Sequence, residues 1–219
     1  GTLTGQVAIA QKNKSGSTNP NDRKIINNGN ILLSGANSTG IAGDYITMTN
    51  TATGTISLGT NSVGMYAANG SDTLNQGGIE LGAGSVGIYG KNYFDGTTNS
   101  SILGYGNDKI DIENQKDITT VSGGVTGDAF GIYADNILSI SDSMVNLTST
   151  SNIDLKGTGT VIGTYLKKTY LTNAGTIKVE SASGGTSVGT YGDESTATSL
   201  TGSRDVYGGS RTGMYLKNY

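Results

Sequence analysis

The chain of 219 residues has no cysteine, no histidine and no tryptophan, and it has only one proline. The absence of cysteine is compatible with a protein that stays unfolded during export, because a disulfide would trap it. Charged residues are also scarce, at 14 % of the chain with a formal net charge of −3. No cluster of lysine and arginine is present, which disfavours binding to nucleic acid. No apolar run is long enough to span a bilayer as a helix.

Glycine and small polar residues are abundant, and 36 residues are glycine. Only 34 % of the chain is hydrophobic. No stretch repeats apolar residues at the helical spacing over three turns, whereas β-branched residues alternate with small polar ones throughout. The chain is therefore predicted to be all-β. Its apolar content is enough for one narrow core and too low for several layers.

A four-residue motif recurs along the chain: a small or aliphatic residue, glycine, an aliphatic residue or threonine, then tyrosine. We call it the Gly-x-Tyr motif. Its copies are Val63–Tyr66, Val86–Tyr89, Phe130–Tyr133, Ile162–Tyr165, Val188–Tyr191 and Thr212–Tyr215, with degenerate copies at Val7–Ala10 and Thr39–Ala42. Such self-similarity is typical of stacked repeat architectures.

A second motif, Ile-x-Leu, precedes most of the tyrosines. It occurs at Ile31–Leu33, Ile56–Leu58, Ile79–Leu81, Ile110–Ile112, Ile153–Leu155 and Ile177–Val179. The intervals between these copies are 25, 23, 31, 43 and 24 residues. A bare repeat of about 23 residues with two or three short strands fits one coil of a parallel β-helix. We therefore predict that residues 1–219 form a single β-helix segment, and that the segment is a fragment of a longer protein.

The longer intervals predict loop insertions, which are better candidates for binding than the regular coil. The predicted insertions lie near residues 11–24, 91–100, 113–128, 134–146 and 192–211. The segment Lys91, Asn92, Tyr93, Phe94 and Asp95 combines two aromatic rings with both charges, a composition expected at an interaction hot spot. These five residues are the predicted ligand-binding site, and an ordinary variable loop is the alternative.

Alternation along a strand predicts that Val86 and Ile88 face the core while Gly87 and Tyr89 face outward. The tyrosines would then form a ladder on one surface, where they serve a structural role or act as a carbohydrate platform. The reverse parity, which would bury the tyrosines, stays open because threonine takes the aliphatic position at Thr164 and Thr190. The lysines that follow three of the tyrosines are interpreted as solvated turn residues or as recognition surface.

The middle positions of the Ile-x-Leu motif predict a second exposed column, in which Glu80, Asp111 and Asp154 follow one another with Glu113 beside Asp111. Three interpretations are open: a solvated acidic stripe, a Ca²⁺ site, or a catalytic acid and base. The absence of histidine weighs against the catalytic interpretation. Whether a metal binds is therefore left open, and no cofactor is predicted.

The segments Gly54–Leu58 with Val63–Tyr66, and Gly78–Leu81 with Ser85–Tyr89, resemble the passenger repeats of large type V autotransporter adhesins, particularly those of fusobacteria. The resemblance covers the chain from about residue 30 to its end. It implies a right-handed parallel β-helix on the bacterial cell surface, either anchored in the outer membrane or secreted. It also implies that membrane contact is made only through a C-terminal barrel that this chain lacks. No catalytic or ligand-binding residue carries over.

The expected function is that of an adhesin passenger segment and not of an enzyme. Its expected partners are a host cell-surface receptor or glycan, or the surface of a partner bacterium, and we expect a monomer. A β-helical polysaccharide hydrolase or lyase is one alternative. A structural stalk that binds nothing itself is the other.

Overall fold

The computed structural model describes residues 4–12, 23–92, 109–136 and 143–217. Within these ranges the chain forms twenty β-strands and nearly no helix, and the strands pair in parallel. The strands lie on three faces of a coil that the chain visits in turn. Two of the faces belong to one 13-stranded sheet, because β18 and β20 run continuously from the second face onto the third.

The first face is formed by β2 (Lys24–Asn27), β5 (Thr47–Asn50), β8 (Asp72–Asn75), β11 (Asp111–Asn114), β14 (Met144–Leu147), β17 (Tyr170–Asn173) and β19 (Thr196–Leu200). The second face is formed by β3 (Asn30–Leu33), β6 (Thr55–Leu58), β9 (Gly78–Leu81), β12 (Asp117–Thr120), β15 (Asn152–Gly157) and the first parts of β18 (Thr176–Asp193) and β20 (Ser203–Lys217). The third face is formed by β1 (Val7–Lys12), β4 (Thr39–Asp44), β7 (Val63–Ala68), β10 (Ser85–Asn92), β13 (Ala129–Asn136), β16 (Thr160–Lys167) and the remaining parts of β18 and β20.

These pairings confirm the predicted parallel β-helix. Copies of each sequence motif stack in register, so that Tyr66 pairs with Tyr89 and Ile56 pairs with Ile79. The third face has eight levels, one for each copy of the Gly-x-Tyr motif, including the two degenerate copies. The repeat in the sequence is therefore the coil of the structure.

A single apolar core runs along the inside of the coil. Each face contributes one or two inward columns of aliphatic side chains, nearly all of them fully buried. The second face contributes the isoleucines and leucines of its motif, and the third face contributes the residue before each tyrosine. Because the coil has only this one narrow core, 34 % hydrophobic residues are enough to fill it.

Buried polar side chains line the edges between faces. At the ends of the first four strands of the first face, Asn27 donates a side-chain hydrogen bond to Asn50 (2.8 Å), Asn50 to Asn75 (2.9 Å) and Asn75 to Asn114 (2.8 Å). All four asparagines are buried. We call this row the asparagine ladder. It changes character at the next level, where Leu147 pairs with Asn114 in the sheet and Asn114 donates instead to the Oγ of Ser151.

One copy of the Ile-x-Leu motif was assigned to the wrong strand. Asp111 and Ile112 lie in β11 on the first face and pair with β8 and β14. The second-face strand of this coil is β12, in which Ile118 pairs with Ile79 and Ile153. Residue 118 was missed because Thr120 stands where the motif has leucine. The predicted intervals of 31 and 43 residues are replaced by 39 and 35 residues.

The predicted insertions divide into two groups. Residues 113–128 contain β12, and residues 192–211 contain β19 and much of β20, so both ranges belong to the regular coil. The other three ranges each extend over residues outside the described parts of the chain, at 13–22, 93–108 and 137–142. Each of these stretches joins a third-face strand to a first-face strand. The two longest connections between strands, residues 13–23 and 93–110, therefore begin and end at the same edge of the coil.

Candidate functional site

The exterior of the third face carries a continuous row of tyrosines. Tyr66, Tyr89, Tyr133, Tyr165 and Tyr191 are partly exposed, and Tyr215 is 45 % exposed. The tyrosines therefore face outward, as predicted. The parity of the two preceding positions was wrong, because Gly87 is buried and Val86 is partly exposed. Two consecutive inward residues, Gly87 and Ile88, interrupt strict alternation here, and the equivalent pairs in β4, β7, β13, β16 and β18 are also buried.

Thr164 and Thr190, the two threonines that left the opposite parity open, form a pair inside the core. Thr164 and Thr190 are fully buried, and the hydroxyl of Thr164 donates to that of Thr190 at 3.0 Å. A buried hydroxyl is tolerated when it finds such a partner. These two residues are thus compatible with an external tyrosine row.

The tyrosine rings pack against one another. The centroids of Tyr133 and Tyr165 lie 4.3 Å apart with ring planes 10° from parallel, and Tyr191 and Tyr215 continue this stack at 5.1 and 5.2 Å. Towards the other end, Tyr89 meets Tyr133 edge-on at 88°. A sugar that stacks on an aromatic side chain needs the face of the ring. The stacked part of the row therefore favours the structural interpretation of the ladder.

Packing in the row also changes the acidity of its central members. Burial raises the pKa of Tyr133, and the neighbouring Tyr165, Asp135 and Tyr89 raise it further. Burial likewise raises the pKa of Tyr165. Both phenols are thus held in the neutral form that can donate a hydrogen bond.

A row of charged residues runs beside the tyrosines, two positions further along each strand. In register it reads Lys12, Asp44, Ala68, Lys91, Asp135, Lys167, Asp193 and Lys217. We call it the charge ladder. The Nζ of Lys12 lies 3.1 Å from Asp44, and Asp135 lies between Lys91 (3.8 Å) and Lys167 (3.7 Å). Lys91, Lys167 and Lys217 are therefore strand residues and not turn residues, whereas Lys168 follows the end of β16 with a positive φ.

Both ladders are interrupted near the first levels of the coil. The degenerate copies of the motif place Ala10 and Ala42 where later coils have tyrosine, and Ala42 pairs with Tyr66. A groove of about 430 Å³ lies at this step. Its walls include Ala10, Ala42 and Tyr66 together with Asp44 and Asn69. The degenerate motif copies are the sequence signal for this groove, because alanine replaces tyrosine in both of them.

Two of the five predicted ligand-binding residues lie in the described chain. Lys91 is partly exposed and belongs to the charge ladder, whereas Asn92 is 3 % exposed at the end of β10. Tyr93, Phe94 and Asp95 lie outside the described residues. The proposal that the five bind a ligand together stays a prediction.

The predicted acidic column is divided between two faces. Asp111 and Glu113 lie on the first face, while Glu80 and Asp154 lie on the second with Thr119 between them. Asp154 is paired with Lys178 at 3.1 Å. Among the described residues, no group of three acidic side chains is placed to hold a metal ion. The continuous acidic stripe is therefore absent.

The first face has an acidic groove of its own, with a volume of about 280 Å³. Asp72 pairs with Asp111 in the sheet, and both line the groove with Glu113. Lys109 lies 3.0 Å from Asp111, while Glu113 accepts hydrogen bonds from Gln115 and Asn146. Burial and the charge of Asp111 raise the pKa of Asp72, and Lys109 opposes this effect.

Comparison with protein-family models, with curated proteins and with solved structures yields no match. The resemblance to autotransporter adhesins therefore stays a prediction. Within the described ranges, no helix has the length and apolar character needed to cross a membrane. What the chain can do must be argued from its own surfaces.

Proposed function

We propose that the chain is a rod-like segment of a bacterial surface adhesin, and that it binds its partner along the edge between the third and first faces. The partner is a host receptor or glycan, or the surface of another bacterium. The observation that carries the proposal is that the two longest connections, residues 13–23 and 93–110, both begin and end at this edge. Binding residues are concentrated on loops that a rigid scaffold holds.

Side-chain contacts connect neighbouring strands of the scaffold beside this edge. From β7 onward, ring contacts in the tyrosine row link neighbouring third-face strands, and ion pairs of the charge ladder join β10, β13 and β16. Each ion pair is small, since exposed pairs contribute about 0.2–1 kcal/mol. Together with the ring contacts, they support the role of a stiff rod that presents segments from one edge.

The proposal is tested by exchanging these segments one at a time. Residues 93–108 are replaced by a Gly-Ser linker of about six residues, and residues 137–142 are replaced in the same way in a matched control. Lys91 and Asn92 are kept, so that β10 and its pairing with β13 remain. Binding of each variant to epithelial cells, to bacterial partners and to a glycan array is then compared with that of the unaltered chain.

We expect the first exchange to abolish binding to the cells or bacterial partners with an unchanged circular dichroism spectrum, and the second to leave that binding in place. If both variants bound equally well, the segment that contains Tyr93, Phe94 and Asp95 would be rejected as the binding site. If the unaltered chain bound none of the three targets, the structural stalk would replace the adhesin as the better description.

A polysaccharide-cleaving enzyme is the second candidate, and the acidic groove on the first face favours it. Asp72 and Asp111 stand at paired positions of adjacent strands, with Lys109 as a basic neighbour. Glycosidases use two carboxylates, one of which is protonated at neutral pH. The raised pKa of Asp72 fits the acid of such a pair.

Other features of this groove favour a structural role. Asp111 is already paired with Lys109, and Glu113 is held by two amides. The test is the release of reducing ends from a panel of polysaccharides by the wild-type chain and by Asp72→Asn. We expect no turnover by either protein, and cleavage that disappears in Asp72→Asn would make the enzyme the better candidate.

A further inference from the structure

The groove at the N-terminal end of the tyrosine row lies where two rings are missing from an otherwise regular series. Ala42 pairs with Tyr66, and Ala10 pairs with Ala42, so the groove covers the next two positions of the row. Tyr66 forms one wall and the two alanines contribute to the floor. A volume of about 430 Å³ is within the range of small-ligand pockets.

The row itself indicates the shape of a suitable ligand. Its rings follow one another at centroid distances of 4.3–5.4 Å along the coil axis. A six-membered ring placed over Ala42 would meet Tyr66 at a similar distance and would occupy the position of the next tyrosine. The site therefore fits one six-membered ring per level, with an apolar side directed at Tyr66.

The rim of the groove carries hydrogen-bonding groups around this apolar floor. Asp44 accepts a hydrogen bond from the side chain of Asn69 at 2.9 Å and pairs with Lys12 at 3.1 Å. A carboxylate has about four lone-pair directions, so Asp44 retains acceptor capacity beyond these two partners. The amides of Gln11 and Asn69 also line the groove.

We propose that this groove binds a neutral sugar ring of a glycan. The C–H face of a pyranose is apolar and stacks on an aromatic ring, while its hydroxyl groups both donate and accept hydrogen bonds and so match carboxylate and amide side chains. The acidic and basic side chains at the rim compensate each other, which favours a neutral ligand over a sialylated or sulfated one. An aromatic side chain of a protein would satisfy the stacking position but would leave the polar rim with fewer partners.

The inference narrows the partner of the proposed adhesin to a glycan, but it places the contact on the third face instead of on the connecting segments. The two proposals can therefore fail separately. Residues 93–108 could be needed for cell binding even if the groove bound no sugar. Conversely, the groove could bind sugar even if the chain did not bind cells.

The test uses the whole chain and three kinds of probe in saturation-transfer NMR. The probes are methyl glycosides of glucose, mannose and N-acetylglucosamine, then sialyllactose, then p-cresol as a tyrosine analogue. In the variant Ala42→Tyr the chain supplies the missing ring itself and fills the site. Tyr191→Phe is the matched control, because it alters the same row four levels away from the groove's aromatic wall without removing a ring.

We expect at least one neutral glycoside to bind, with a loss of more than about tenfold in affinity in Ala42→Tyr and no change in Tyr191→Phe. A melting temperature of Ala42→Tyr at or above that of the wild type would show that the loss is not due to unfolding. Preferential binding of p-cresol or sialyllactose would overturn the assignment to neutral sugars. Glycoside binding that survives Ala42→Tyr, or no binding of any probe, would overturn the site.

Discussion

Gly87 on the third face packs directly against Ile118 on the second. A Cβ atom at position 87 would lie 2.7 Å from the Cγ2 of Ile118 and 2.6 Å from the carbonyl oxygen of Gly131 in the next coil. The same relationship recurs along the rod, where Gly64 faces Ile79 and Gly131 faces Ile153. The two sequence motifs are thus the two sides of one contact across the core, and the glycine is required because the faces approach so closely.

Gly87→Ala should therefore destabilise the protein by about 1–3 kcal/mol, because the added methyl group overpacks the core against backbone atoms that cannot move easily. Gly78→Ala in β9 is the control, since no atom lies within 4 Å of its would-be Cβ. We expect the control to stay within about 0.5 kcal/mol of the wild type. Urea unfolding followed by circular dichroism measures both. Equal stabilities would contradict the proposed contact.

Asn75→Ala should remove the centre of the asparagine ladder. The side-chain amide of Asn50 would lose its acceptor and the carbonyl oxygen of Asn114 would lose its donor, both in buried positions. Each unsatisfied group costs about 1–3 kcal/mol, so a loss of at least about 2 kcal/mol is expected. Asn30→Ala, at an exposed site, should change stability by about 0.5 kcal/mol or less. A similar effect of the two substitutions would show that the ladder contributes little.

Asp135→Lys should place three positive charges side by side in the charge ladder, at positions 91, 135 and 167. Like charges at paired positions of neighbouring strands repel, so we expect a loss of about 1 kcal/mol at low ionic strength and a smaller one at high salt. Asp135→Asn removes the attraction without adding repulsion and should cost less. The prediction fails if unfolding free energies of the two variants agree at low salt.

Tyr133→Phe should flatten the alkaline part of the stability profile. Burial raises the pKa of Tyr133 above its value in the unfolded chain, so this phenol contributes stability that is complete below about pH 10 and is lost as the pH rises through the folded-state pKa. A phenylalanine has no such proton to lose. Unfolding free energies measured between about pH 9 and 11.5 should fall less steeply in the variant. Parallel profiles would assign the alkaline transition to other groups.

Asp72→Asn should stabilise the protein at neutral pH. Burial and the nearby charge of Asp111 raise the pKa of Asp72 above the usual value of an aspartate, so the folded state binds this proton more tightly than the unfolded state. The wild type then loses stability from this group as the pH rises through the folded-state pKa, and the variant does not. The advantage of the variant should shrink towards pH 4. Asp117→Asn, beside Lys116 on the second face, is the control and should give no gain.

The repeat was readable in the sequence because each coil needs the same contacts at the same positions. The contact between a glycine and a β-branched residue across the core recurs in successive coils, from Gly64 with Ile79 to Gly189 with Val206, so the spacing of these residues predicted the parallel β-helix. The coil around Ile118 was misread because Thr120 is only partly buried there and leucine is not required. A pattern based on side-chain type is lost at such a position even though the backbone pairing is kept.

The surface ladders were harder to find from sequence because they involve residues in different coils. Asn27, Asn50, Asn75 and Asn114 all end a first-face strand, and lysine or aspartate follows most tyrosines by two positions. Both signals become visible only when the coils are aligned by structure. The groove at Ala42 is harder still to predict from sequence, because it arises where alanine replaces the tyrosine of the later coils.

The position of the long connections has a consequence for how such a rod can change over generations. The entropic cost of closing a loop grows only with the logarithm of its length, by about 0.6 kcal/mol for each doubling. Segments at the edge between the third and first faces can therefore lengthen, shorten or be exchanged with little effect on the coil that carries them. Recognition can diversify at that edge while the glycine, tyrosine and asparagine columns of the coil keep their contacts.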